Sequence, residues 1–171
     1  GIIENEFWNV AKDIQDARRY FLNQPTAAVD AWLSRQEWAA CTDAEKAVSL
    51  EDPIVMFFDG SKSDDASGLV GCRMSDGHLV VLGCWEKPEG PAGEDWQIDR
   101  ADVDRVVRQC FAVRDVVAFF ADLAEFESYV DAWADDYRKQ LLIQATAGRH
   151  QHAVAFDMRG RTAEFTAAVE R

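Results

Sequence analysis

Two aspartates stand where apolar runs stop. Asp59 closes the run 54–58 in Phe57, Phe58, Asp59, Gly60, Ser61, and Asp122 closes the run 116–121 after Phe119, Phe120 and Ala121. An acid directly after two aromatics is a costly placement unless it is paired or holds a cation. If the two runs are neighbouring strands, their ends bring two anions together, and these tolerate one another best with a divalent cation between them. Hard oxygen ligands with no Cys or His cluster select Mg2+ or Mn2+ over zinc. An Asp before Gly or before a helix is also a common turn residue or N-cap, so residue type leaves both readings open. Asp64 and Asp65 follow in the next loop, as solvated turn acids or with Asp65 turned back towards the cation. Asp157 is a further candidate, which the periodicity puts on the last helix.

The elements that must position these acids follow from the apolar pattern. Runs at 54–58, 68–73 and 79–82, with the turn Ser75, Asp76, Gly77 before the third, predict three antiparallel strands, because the connections are too short for parallel crossovers. Asp99 caps a predicted helix through Val103, Val106, Val107 and Cys110, and 116–121 is the fourth strand. Phe126, Tyr129, Val130, Trp133 and Tyr137 recur at helical spacing, 141–145 is a predicted fifth strand, and the chain from about residue 150 is again helical in period. The order βββαβαβα predicts an α/β fold, a mixed five-stranded sheet flanked by helices.

Upstream, Phe7, Val10, Ala11, Ile14, Ala17 and Phe21 keep helical spacing until Pro25, and Ser34 to Glu37 is a capping-box pattern opening a short helix with Trp38 and Cys41. Trp8, Trp32 and Trp38 are expected as core anchors. The chain begins at Gly1 without Met and stops at Arg171 inside a helical pattern, so it reads as a piece of a longer protein.

Composition narrows the function classes. The 171 residues carry 31 Asp and Glu against 18 Lys and Arg, a net charge of −13, which argues against a simple basic nucleic-acid binder. The acidity is regional: residues 51–147 hold 20 acids and 9 bases, a net of −11, whereas 148–171 hold 3 acids and 4 bases, a net of +1. Apolar residues at 48% and charged residues at 29% describe a folding chain of one main domain. The four cysteines form no C-x-x-C pair, and Cys72, Cys84 and Cys110 are expected as buried thiols in a reducing setting. No apolar stretch is long enough to span a bilayer. There is no P-loop, so no ATP site is expected, and neither G-x-S-x-G nor H-E-x-x-H occurs. His78 falls at a turn. His150 and His152, two apart, would face different sides of a helix and share no metal.

The segments Ile54 to Ser61, Asp64 to Gly71, Val80 to Glu86 and Phe120 to Asp122, with Arg19 to Gln24 and Ala31 to Leu33 upstream, resemble the nuclease domain of the large terminase subunit of tailed bacteriophages. The resemblance covers most of the chain and rests on the order and spacing of short motifs. It implies a ribonuclease-H-like fold and a Mg2+- or Mn2+-dependent endonuclease that cuts concatemeric double-stranded viral DNA during genome packaging, in the cytoplasm of the bacterial host. Residues 1–50 would be a helical connector from an ATPase motor absent here, and residues 51–171 the nuclease domain, truncated at its C-terminus. Asp59 and Asp122 match the family's metal ligands on the first and fourth strands. Its further Asp would lie past the last helix, a place that Asp157 does not match. Two-metal hydrolysis of a phosphodiester is implied, with Lys62, Arg149, Arg159 and Arg161 as candidates for holding phosphates. The motor domain, the small terminase subunit and the portal are the implied partners, and no membrane is. A catalytically incomplete docking module and an unrelated Mg2+ phosphotransferase are the competing expectations.

Overall fold

The computed structural model describes residues 35–43, 45–61, 66–123, 125–148, 151–157 and 161–169. The chain divides into two compact units, 1–47 and 48–171. In the first, helix α1 (Arg35–Ala40) is described, and its Trp38 is 65% exposed rather than a core anchor. The predicted helix through Phe7 and Phe21, with Trp8 and Trp32, lies outside the described residues.

The second unit is built on four strands, β1 (Ile54–Asp59), β2 (Ser67–Arg73), β3 (Leu79–Trp85) and β4 (Val116–Ala121), in the order β3-β2-β1-β4. The first three are antiparallel, as their short connections require, and β4 runs parallel to β1. The turn between β2 and β3 needs a glycine, because Gly77 has φ +73° and its N–H donates to the carbonyl of Arg73 at 2.9 Å.

Alternation sorts the sheet into two faces. Ile54, Met56 and Phe58 of β1 and Leu69 of β2 are fully buried on one. Helix α2 (Arg100–Val113) covers it with Val103, Val107, Cys110 and Phe111, and helix α3 (Glu127–Tyr137) with Val130, Trp133 and Ala134. Asp99 caps α2 by accepting from the N–H groups of Ala101 at 3.0 Å and Asp102 at 3.2 Å. Trp133 locks the layer: its ring meets Phe58 edge-on at 5.7 Å and tilts on Phe119 at 5.5 Å, while its Nε1–H donates to Asp104 at 2.7 Å. On the other face, edge strand β3 leaves Val81 70% exposed and Cys84 open to solvent. Of the three thiols expected in the core, only Cys110 is buried, since Cys84 alternates onto the open face and Cys72 is half-buried.

The predicted fifth strand does not form. Leu142 and Ile143 both give their N–H to the carbonyl of Val117, at 2.9 and 3.3 Å, and Ile143 makes a single parallel bridge to Ala118. The backbone then leaves β4, and Ala145 and Thr146 donate instead to the carbonyls of Ala153 and His152, both at 3.1 Å. Ala155 takes the next place along β4 by a parallel bridge to Ala121. Two short pieces thus share the edge that one strand would occupy, and Leu142 is left 79% exposed. The expected helix from residue 150 is corrected too: residues 151–157 are not helical, and helix α4 spans Thr162–Val169. Among the described residues, no helix is long and apolar enough to cross a membrane.

Candidate functional site

The parallel pairing of β1 with β4 decides what the two strand-end acids can do. Phe57 pairs with Phe120 and Phe58 with Ala121, so the next residues on the two strands are Asp59 and Asp122. The N–H of Asp122 donates to the carbonyl of Phe58 at 3.1 Å, which carries the pairing to this level. Strand alternation puts both acids on the face of Phe57 and Phe120, away from the aromatic core. Asp59 is exposed and Asp122 half-buried. They stand at the carboxyl ends of adjacent parallel strands, where open α/β sheets bind ligands.

The surroundings hold this end in shape. Gly60 is pressed against the core: a Cβ there would lie 2.7 Å from Cδ2 of Phe126 and 2.8 Å from Cε1 of Phe58. Ser67, 1% exposed, joins the two ends of the loop after β1. Its Oγ accepts from the N–H of Ser61 at 2.8 Å, and its hydroxyl donates to the carbonyl of Ser61 at 3.3 Å. Opposite Asp59 on β2 is Gly68, where an added Cβ would meet nothing within 4 Å among the described residues. Beyond Asp122 the chain turns sharply through Glu125 at φ +65°, an uncommon conformation for a side-chain-bearing residue. Glu125 pairs with Arg100 at 3.4 Å, and Arg100 lies 5.3 Å over the Phe126 ring.

Asp157 comes to this same end of the sheet, not onto a helix. The bridge of Ala155 to Ala121 sets Phe156 level with Asp122 and Asp157 one residue beyond. Phe156 packs on Phe120 with ring centres 5.4 Å apart, and the Arg161 guanidinium lies 4.7 Å over the Phe156 ring. Arg161 also pairs with Glu164 at 3.2 Å. Asp64, Asp65, Lys62, Arg149 and Arg159 lie outside the described residues. Among the described residues, no three His, Cys, Asp or Glu side chains come together to hold a metal ion. What the register does is set Asp59 and Asp122, two hard oxygen donors of the kind Mg2+ or Mn2+ prefers, level on adjacent strands.

Sequence reasoning missed His152. Off any helix, it accepts at Nδ1 from the N–H groups of Val154 at 3.1 Å and Ala155 at 2.7 Å, and its Nε2 is 3.2 Å from Oδ1 of Asp131. A His one residue before a run of small apolar residues is the only trace of this in the sequence.

The chain is 46% identical over 169 residues to the Gene 13 protein of Mycobacterium phage L5, and 44% identical over 169 residues to the Gene 13 protein of Mycobacterium phage D29. It is related to phage proteins. The matches cover 92% of this chain and 27% of each relative, so the chain spans about a quarter of the length of the curated relatives it matches. No protein-family model matches the chain, and no solved structure matches it.

Proposed function

We propose that residues 48–171 are a ribonuclease-H-like, metal-dependent DNA endonuclease domain of a phage terminase large subunit, acting on concatemeric viral DNA in the host cytoplasm. The observation that carries this reading is the register that sets Asp59 beside Asp122 at the carboxyl ends of two parallel strands. The antiparallel meander feeding a parallel β4 and the phage origin of the relatives support it.

In this reading Asp59 and Asp122 hold divalent cations, Asp65 in the loop after β1 is a further candidate ligand, and Asp157 comes to the same end of the sheet without joining the two in a three-acid group. Bound Mg2+ or Mn2+ would supply an activated water and charge stabilisation at the leaving oxygen. Gly60 and the Ser61–Ser67 hydrogen bonds fix where β1 delivers its carboxylate. Arg161, with Lys62, Arg149 and Arg159, attracts the phosphates, and the +1 balance of residues 148–171 sets that segment apart from the acidic sheet. The overall charge of −13 keeps DNA binding by this chain alone weak, so the motor, the small subunit or the portal would supply the rest of the grip.

The test is nicking of supercoiled plasmid with Mn2+. The wild-type chain cuts and Asp59→Asn does not; equal rates from the two would overturn the assignment. Mn2+ at about a hundred times its dissociation constant should stabilise the wild-type fold by about 2.7 kcal/mol, and the Asn variant much less. A second reading, a nuclease-like module that docks on the motor or portal without cutting, is favoured by the absence of a three-acid group among the described residues. Specific partner binding without cleavage would select it. Phosphomonoester turnover without DNA cleavage would select a phosphotransferase instead.

A further inference from the structure

Residues 153–157 form the outermost piece beside β4, and their backbone has two sides to satisfy. The inner side is met by the strand: Ala121 N–H donates to the Val154 carbonyl at 3.0 Å, and Phe156 N–H donates to the Ala121 carbonyl at 2.9 Å. Among the described residues the N–H groups of Val154 and Ala155 have no further strand to pair with, yet Val154 is fully buried and Ala155 is 8% exposed. A buried N–H without an acceptor is strongly unfavourable. Both donate to one atom, Nδ1 of His152, at 3.1 and 2.7 Å.

A ring nitrogen that accepts carries no proton, so the neutral ring has its hydrogen on Nε2. That hydrogen faces Oδ1 of Asp131 on α3, 3.2 Å away. The His152 backbone is fixed as well, its N–H donating to Oγ1 of Thr146 at 2.8 Å and its carbonyl accepting from Thr146 N–H at 3.1 Å.

We propose that His152 is a positioning residue: held as the Nε2–H tautomer, its imidazole stands in for a missing neighbouring strand, keeping residues 153–157 against β4 and so bringing Asp157 to the carboxylate end of the sheet. The structural role stands on the contacts of His152, and its consequence for cleavage rests on the nuclease reading above. The ring acts through the backbone of Val154 and Ala155 and does not itself touch Asp59 or Asp122. Asp131, 70% exposed, orients the ring and contributes little by itself.

The test separates the acceptor from the bulk of the side chain. In Asn the amide oxygen sits at the same bond distance from the backbone as Nδ1, whereas Gln and Ala offer no acceptor there. Nitrogen NMR of the wild-type chain should show His152 with a bare Nδ1 and a protonated Nε2. Amide exchange at Val154 and Ala155 should speed up about tenfold or more in His152→Ala and His152→Gln, and stay near wild type in His152→Asn. A protonated Nδ1 in the neutral ring, or unchanged exchange in the Ala variant, would overturn the proposal. Should His152→Ala not fold, the wild-type tautomer and the Asn variant decide by the same criteria. In Mn2+-dependent nicking, Asn should rescue what Ala and Gln lose. A wild-type chain that shows the tautomer and the exchange pattern but cuts no DNA would sink the nuclease reading and leave the positioning role standing.

Discussion

At the end of the sheet where β1 begins, acids are shared out to a cation; where β1 finishes, acids are set beside each other. Arg73, at the close of β2, reaches Asp52 through Nη1 at 3.1 Å and grips Asp76 through Nη2 at 2.8 Å and Nε at 2.9 Å. The Arg73 guanidinium, helped by the Ser49 N–H, holds the Asp52 carboxyl below its ordinary value of 3.8, and the two carboxylates push the guanidinium's own pKa up. At the other end, Asp59 and Asp122 are brought level by strand register, and no described Lys or Arg forms an ion pair with Asp59. Where each carboxylate meets a fork of donors the arrangement braces a turn, and where register sets two acids level the nuclease reading proposed above gives them a cation to hold.

That contrast can be broken most directly by exchanging charges at the two ends. Asp59→Asn or Asp122→Asn should reduce Mn2+-dependent nicking to the metal-free background while leaving the melting temperature unchanged or slightly raised. Arg73→Met should lower the melting temperature by several degrees and leave nicking within about twofold of wild type. If Asp59→Asn lowers the melting temperature as much as Arg73→Met, the two ends do not differ in kind.

Gly60→Ala probes the link between core and site. Its Cβ must displace the Phe126 or Phe58 ring, at a cost of about 1–3 kcal/mol in chemical denaturation, and nicking should fall although both acids remain. Ser67→Ala should cost about 1 kcal/mol by the same measurement, since it removes two hydrogen bonds that join the ends of the loop after β1.

The smallest effect is on pH dependence. Asp52 is lowered by its bonds to Arg73 and Ser49, and Asp102 by the Trp85 Nε1–H donating at 2.8 Å and then by Arg105. A folded-state value below the unfolded one means that the stabilisation is present above about pH 3.8 and is lost as pH falls through the lowered value. Thermal melts of the wild type should therefore fall more steeply below pH 4 than those of Arg73→Met, which has already lost the Asp52 part. Parallel curves would show that Arg73 does not hold Asp52 in this way.

Much of this unit was legible because local signals agreed with one another. Short turns forced the antiparallel meander, Asp99 marked the start of α2, and the spacing from Phe126 to Tyr137 marked α3. The errors fall where a segment's partners are distant in sequence. Residues 141–145 have the composition of a strand, but Ala145 and Thr146 find acceptors at Ala153 and His152, and Ala155 occupies the rest of the β4 edge. From about residue 150 the apolar positions have a helical rhythm, yet Val154 and Ala155 donate to an imidazole and Phe156 donates to β4. Cys84 lies in an apolar run but on the edge strand's open face.

By itself the sequence determined the strands and helices with strong periodicity, the regional acidity, and the two aspartates that end apolar runs. These depend on local rhythm and composition. Only the tertiary structure decided that β1 and β4 are neighbours in a register that levels Asp59 with Asp122, that Asp157 reaches the same end of the sheet, and that His152 is a backbone acceptor. Each of those depends on which distant segment claims a given N–H or carbonyl. A strand edge can satisfy only one partner at each position, and that competition is settled by packing across the whole sheet.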